Sequence, residues 1–309
     1  MTSAHTLTNR SSLSTTATVL GIGVLAVSTS SILVRFAHAA GAGSLAIAAL
    51  RLVIASLVLA PFALARCREE YRSLSGRDLL AAVLSGAFLG GHFATWILSL
   101  ELTSVVSSVV LVSFGPLFVA VAAAIFLKER LTGSALMGML LAIVGGIVIG
   151  LGDVGNAHAG SAPLVGNALA LAGAVCLAPY LIIGRALRAK LSLLAYVALV
   201  YGAAAVVLLV VAVVTRTPLA FANPQAWLWI TLLALVPQLI GHTAFNFAVR
   251  RMPASFATIP VLGEPIGSSI LAIVLLHETV TSLTLAGAAL ALAGIAVMST
   301  KRGGDDGGR

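Results

Sequence analysis

Two trios of residues stand four positions apart inside otherwise apolar sequence: Phe88, His92 and Trp96, then Gln238, His242 and Asn246. Four residues carry an α-helix about 40° past a full turn, so each trio forms one stripe roughly 12 Å long. Aromatic rings on one wall and hydrogen-bonding groups on the other suit an amphipathic organic solute. The plainer alternative is packing, with the histidines bonded to nearby backbone and the aromatics filling space. Polar groups inside a membrane tend to face a cavity, which gives the solute reading its weight.

Glu264 sits near the middle of a later apolar run, after Pro260 and before Pro265. A charged acid at that depth costs on the order of 3 kcal/mol. Two readings follow: Glu264 carries the coupling proton or a solute ammonium, or it is protonated and bonds within the bundle as glue. The prolines free backbone carbonyls that can act as further ligands or as a hinge. His92 and His242 join Glu264 as candidate proton carriers, because imidazole titrates near neutral pH. Arg51 lies about seven residues into its run. It either grips an anionic group such as a carboxylate, or it snorkels outward or pairs with Glu101, the blander choice. Hydroxyls of Ser28, Thr29, Ser30 and Ser31 either touch solute or bond to their own helix, the commoner outcome. Arg35 and Arg185 read as snorkelling anchors near helix ends. Thr132 and Thr281 stand where helix N-caps belong. Beside them, Glu129 and Glu278 are expected to orient the turn into the next helix and to support its positive end.

The elements that must hold these residues follow from length and hydropathy. A hydrocarbon core about 30 Å thick needs roughly 20 apolar residues in a helix. Ten runs qualify: 17–38, 44–65, 79–100, 103–127, 131–151, 163–185, 191–214, 226–249, 254–276 and 281–299. They are too long and too evenly apolar for barrel strands. The chain also contains one block twice. Arg35 and Gly91-His92 recur 150 positions later as Arg185 and Gly241-His242. Pro116, Glu129, Thr132, Gly138 and Gly145 recur 149 later as Pro265, Glu278, Thr281, Gly287 and Gly294. Glu264 breaks the match, its counterpart being Gly115. A repeat with an odd number of passes enters the membrane from opposite sides, an arrangement many secondary transporters use. The expected fold is thus an all-α membrane protein of ten transmembrane helices in two inverted five-helix repeats, residues 17–151 and 163–299. Cytoplasmic tails 1–16 and 300–309 flank them.

Charge sets the orientation. Arg66, Arg68, Arg72, Arg77, Lys128, Arg130, Arg185, Arg188, Lys190, Arg250, Arg251, Lys301 and Arg302 all fall on the side of the N-terminal Arg10. The opposite loops hold Glu101, Asp153 and Glu278, and only Arg216 among basic residues. This bias puts both termini in the cytoplasm. The 309 residues are 60% hydrophobic and 9% charged, against about 25% charged in soluble domains. Mean hydropathy is +1.09. The formal charge of +8 lacks a basic face with interleaved aromatics, which argues against nucleic acid. Ala37-His38-Ala39 resembles a signal-peptide cleavage site, but residues 17–38 have a counterpart at 163–185, so the helix is read as retained. Cys67 and Cys176 read as unpaired thiols with no redox role. No GxxxxGK[ST] is present, and His277-Glu278 fails as HExxH because position 281 is Thr. Neither a cofactor nor a metal is expected, and an enzyme is the least favoured class.

Several motifs also carry a family likeness. His92-Phe93-Ala94-Thr95-Trp96, Thr103-Ser104-Val105, Ser107-Ser108-Val109-Val110-Leu111, Pro116 and Phe126-Leu127-Lys128-Glu129-Arg130-Leu131-Thr132 resemble the first half of an EamA-type drug/metabolite transporter. Pro237-Gln238, Gly241-His242, Asn246, Pro253-Ala254-Ser255, Glu264-Pro265 and Leu275-Leu276-His277-Glu278 resemble the second half. The likeness runs from about residue 17 to 299. It implies the same ten-helix inverted repeat, moving a small metabolite or drug across the inner membrane, usually outward. The group carries amino acids, sugars, nucleotides and drugs on one scaffold. His277 departs from the pattern, where a small residue such as Gly is usual. The expected activity is alternating access with protons as coupling ion, an uncoupled facilitator or exchanger being the alternative. Expected partners are a small-molecule substrate and the lipid bilayer, with a homodimer left open.

Overall fold

The computed structural model describes residues 16–126, 131–154, 156, 158–249 and 258–299, with helices, turns and no strand among them. Among the described residues, eight helices are long and apolar enough to cross a membrane. They are α1 (Thr16–Ala39), α2 (Ser44–Arg66), α3 (Gly76–Leu102), α4 (Val105–Ala122), α5 (Gly133–Asp153), α6 (Pro163–Arg188), α7 (Leu193–Val214) and α8 (Pro224–Phe247). Then come α9 (Thr258–Leu275) and α10 (Ser282–Ser299), whose described apolar stretches are shorter. Lys128, Glu129, Arg130, Arg250, Arg251, the 253–255 motif and the tails apart from Thr16 lie outside the described residues.

Helix starts follow side-chain caps. Ser75 and Asp78 close a reciprocal capping box, which starts α3 at Gly76 rather than at 79. Thr103 and Ser104 are extended, and the Ser104 hydroxyl accepts from the Ser107 N–H, so α4 starts at 105 rather than 103. Thr132 accepts from the Ala135 N–H at 3.2 Å and Thr281 from the Thr284 N–H at 3.0 Å, so both serve as the expected caps. Pro163 and Pro224 occupy first helical turns, where no partner is needed for the missing N–H. Three passes are irregular. α1 breaks at Thr29, α4 turns at Ser113-Phe114 just before Pro116, and α8 is a π-helix over Ala234–His242, around Pro237. Long π-segments are rare and often mark functional sites. His277, after α9, has φ 52°. That left-handed conformation suits Gly and costs about 1 kcal/mol with a side chain.

Helices in lipid gain little by hiding apolar surface, so close backbone approach must hold them together. α3 packs on α6 and α7, α2 on α7, α1 on α8, α4 on α6 and α9, and α5 on α10. Advancing each helix by one repeat maps α3–α6 onto α8–α1, and maps α2–α7, α4–α9 and α5–α10 onto themselves. The α5–α10 crossing shows this residue by residue. A Cβ on Gly138 would stand 2.5 Å from the Gly294 carbonyl oxygen, and one on Gly294 would stand 2.6 Å from that of Gly138. Gly145 and Gly287 face each other in the same way, at 2.7 and 2.8 Å. The two helices are therefore antiparallel, and repeat counterparts exchange places across the crossing. Outward positions such as Leu57, Phe62, Ile125, Ile147, Val214 and Ile270 expose large apolar side chains. In a chain this apolar they face lipid, and the protein is a multi-pass membrane protein. Arg66, Arg68, Arg72, Arg77, Arg185 and Lys190 are all exposed at one end of the bundle.

Gly138→Leu should lower thermal stability in detergent by about 1–3 kcal/mol or block folding, as overpacking does. Gly21→Ala, where nothing lies within 4 Å of an added Cβ, should be neutral or gain up to about 1 kcal/mol. Equal melting temperatures for the two variants would contradict the crossing.

Candidate functional site

Arg51 neither snorkels nor meets Glu101. It is 0% exposed, on the inward face of α2. Its Nη2 donates to Gln238 Oε1 at 2.8 Å, and its guanidinium lies 4.1 Å from the centre of the Phe93 ring. Glu101 sits at the far end of α3, where it accepts from the Ser44 hydroxyl at 2.6 Å with His38 4.0 Å away. The blander expectation for Arg51 therefore fails, because its helix face turns into the bundle. Phe93 is the hinge of the site: its ring contacts His92 at 5.0 Å and His242 at 5.5 Å between centres. Tyr201 of α7 and Glu264 of α9 lie within electrostatic reach of Arg51. The Tyr201 hydroxyl lies beside Thr243 and Gln238. Residues from both halves thus meet around one buried cation.

His92 donates its Nδ1–H to the Gly173 carbonyl at 3.0 Å, across to α6. A carbonyl only accepts, so the proton sits on Nδ1 and Nε2 of the neutral ring is an acceptor. Trp96 is buried, and its Nε1–H has no partner among the described residues. Two members of the trios lie elsewhere. Phe88 is on the exposed face of α3. Asn246 donates to the His242 carbonyl at 3.0 Å and accepts from Arg188 at 3.5 Å. Equal spacing in the sequence suggested equivalent stripes, but α8 is π-helical where α3 is α-helical. The extra residue in each hydrogen-bonded turn changes which side chains face inward, so Gln238 enters the cluster and its counterpart Phe88 does not. Ser28 and Thr29 bond to their own helix, whereas Ser30 and Ser31 are buried without partners among the described residues. Phe93 and Tyr201 were missed from sequence. Tyr201 had a signal, since it is the repeat counterpart of Arg51 at the 150 offset.

A second polar network closes one end of the bundle. Arg35 donates to the Thr103 carbonyl at 2.9 Å, and Glu278 accepts the Val105 N–H at 2.7 Å. Glu278 therefore supports the start of α4 in the other half, not that of the next helix, α10. Asp153 is buried and accepts from Asn167 at 2.8 Å and from Thr284 at 3.1 Å. Thr103 donates to Asn167 at 2.8 Å. At the opposite end Lys190 meets Asp78 at 2.6 Å, and the Ser192 N–H donates to Glu70 at 2.6 Å. Arg185 is exposed, as an anchor would be. Among the described residues no group of three or more His, Cys, Asp and Glu could hold a metal.

Gln238→Leu removes the acceptor that steadies Arg51 and should cost about 2 kcal/mol, the worth of a hydrogen bond to a buried charge. The double variant with Arg51→Met should recover part of that loss in thermal denaturation, and strict additivity would deny the coupling. Burial pushes the Glu278 carboxyl above the ordinary carboxylate range, against the pull of Arg35 and the Val105 N–H. The stability this gives is full below the ordinary carboxyl pKa of about 4.3. It is lost as pH rises through the raised folded value. Glu278→Gln should flatten that fall in a melting-temperature series against pH, and an unchanged slope would count against it.

Comparison with known proteins agrees with this architecture. A solved crystal structure matches with a TM-score of 0.63 at 22% identity, covering 91% of this chain and 96% of that one. An "Uncharacterized transporter" of Archaeoglobus fulgidus is 28% identical over 262 residues, 84% of this chain and 89% of that one. A "Probable terminal-alkyne amino-acid exporter" of Streptantibioticus cattleyicolor is 29% identical over 191 residues, 62% of this chain and 63% of that one. The EamA-like transporter family matches twice, over residues 15–151 and 164–300. Nearly the whole chain is accounted for by those two matches, and the protein belongs to the EamA-like transporter family, as a membrane transporter.

Proposed function

We propose that this protein is a proton-coupled secondary transporter that exports a small organic metabolite or drug across the inner membrane by alternating access. The single observation that carries the reading is the cluster of buried Arg51, Phe93 and Gln238 with half-buried His242. Both halves supply it, deep in an apolar bundle, Arg51 and Phe93 from the first and Gln238 and His242 from the second. Ten passes in two inverted five-helix repeats are supported by the antiparallel α5–α10 crossing, where counterparts exchange places. Cytoplasmic termini are supported by the exposed arginines gathered at one end. Solute contacts are assigned to Arg51, His92, Trp96, Gln238 and His242, with Phe88 and Asn246 outside this cluster. Glu264 is the coupling acid, with His92 and His242 as further proton carriers. It shares the site's field with the Arg51 guanidinium and the Tyr201 phenol. The relative named as an amino-acid exporter makes amino acids the first solutes to load.

Proteoliposomes loaded with labelled amino acids should show saturable counterflow that a pH step accelerates. Glu264→Gln should lose the response to the pH step while counterflow persists. A variant that follows the pH step like the parent would remove Glu264 from coupling. Flux that neither saturates nor responds to pH would favour a facilitator.

A further inference from the structure

A cation held away from water with no carboxylate bonded to it has an unmet electrostatic demand. Arg51 keeps its charge under all physiological conditions. It is 0% exposed, yet its Nε and Nη1 donors have no acceptor among the described residues. No carboxylate there forms a salt bridge with it, and Glu264 reaches it only through space. Two further buried side chains, one of them bonded to Arg51, also carry spare donors. Gln238 spends its oxygen on Arg51 and leaves its Nε2 donor unused, and the Trp96 Nε1 donor is also unused. Both of those side chains are buried. These atoms can only donate. Their natural complement is a group that only accepts and carries negative charge, which describes an ionised carboxylate. An ammonium would meet a like charge and no acceptor on these four nitrogens. A neutral amide would satisfy some donors and leave the guanidinium uncompensated.

We propose that Arg51 is the anchor for a carboxylate on the transported solute, steadied by Gln238 and the Phe93 ring, with the Gln238 and Trp96 N–H groups completing the cradle. This rests on the transporter reading above and names the substrate class of that site. The solute's apolar portion lies against the Phe93 and Trp96 rings. Gln238 is a positioning residue for the guanidinium as well as a donor.

The test compares three probes of one shape on the purified protein in nanodiscs: benzoate, benzamide and benzylammonium. Benzoate should raise the melting temperature saturably, and the other two should not. Arg51→Gln should weaken the benzoate effect by about tenfold or more, as loss of a charge-assisted hydrogen bond does. Arg51→Lys, which keeps the charge but loses the planar fork, should fall between. The comparison of probes on the unaltered protein stands even if Arg51→Gln fails to fold. Equal stabilisation by benzamide, no stabilisation by benzoate, or a benzoate effect intact in Arg51→Gln each overturns the anchor. If solutes lacking a carboxylate show saturable counterflow, the transporter reading survives and only the anchor falls. If no solute of any class shows counterflow, the transporter reading falls with it.

Discussion

Close contact between backbones is the constraint on which the rest of this structure depends. Lipid removes most of the reward for hiding apolar side chains, so helices hold together where small residues let them nearly touch. The α5–α10 crossing is the strongest instance, with Gly138 on Gly294 and Gly145 on Gly287. Gly23 and Gly241 do the same between α1 and α8, and Gly173 lies against the backbone of α3 at His92. These contacts fix how one half sits on the other. They thereby decide which side chains of α2, α3, α7, α8 and α9 meet in the middle.

A frame with two-fold character still yields a one-sided site. Arg51 corresponds to Tyr201, Phe93 to Thr243, Trp96 to Asn246, and Gly115 to Glu264. Only the histidines, His92 and His242, are kept in both halves, and even they differ in surroundings. His92 is tied to the Gly173 carbonyl, whereas His242 rests edge-on against Phe93. Doubling the guanidinium would place two cations in a medium of low dielectric, and a tyrosine at the second position avoids that cost. The asymmetry concentrates positive charge on one wall and aromatic surface beside it, which suits a solute with distinct polar and apolar ends.

Much of this was legible in the sequence because it is periodic or local. The apolar runs and the capping threonines depend on residues close together in the chain, and the twofold recurrence shows as a fixed offset of 149–150 positions. The fate of Arg51 was not legible. Its distance from the helix end made snorkelling the cheaper outcome, and only the packing of α2 against α7 and α8 shows that it points inward. Phe88 misled for a related reason. Spacing by fours is the same in an α-helix and a π-helix, but the faces it selects are not, and nothing local to Ala234–His242 beyond Pro237 signals the change. Glu278 was placed correctly beside its turn, yet its partner lies 173 positions away, at Val105. Pairings of that range are invisible to a reading by neighbours.

The unequal strength of these contacts bears on how the halves can move. The ends are held by discrete polar links: Glu278 to Val105 and Arg35 to Thr103 at one, Lys190 to Asp78 and Ser192 to Glu70 at the other. A part-buried hydrogen bond to a charged group, such as those of Arg35 and Glu278, contributes about 1.5–3 kcal/mol, and exposed links such as Lys190–Asp78 and Ser192–Glu70 far less. Such links break and reform one by one. The α5–α10 crossing has no such increments, because sliding it would drive Cα atoms and carbonyls into one another along the whole contact. If the halves rock, as the proposed alternating access requires, the pivot would lie where glycine faces glycine and the moving parts at the polar ends. Arg51 and its neighbours lie between the two. There a small rotation about the crossing would change which end of the bundle admits solvent and leave the guanidinium held by Gln238.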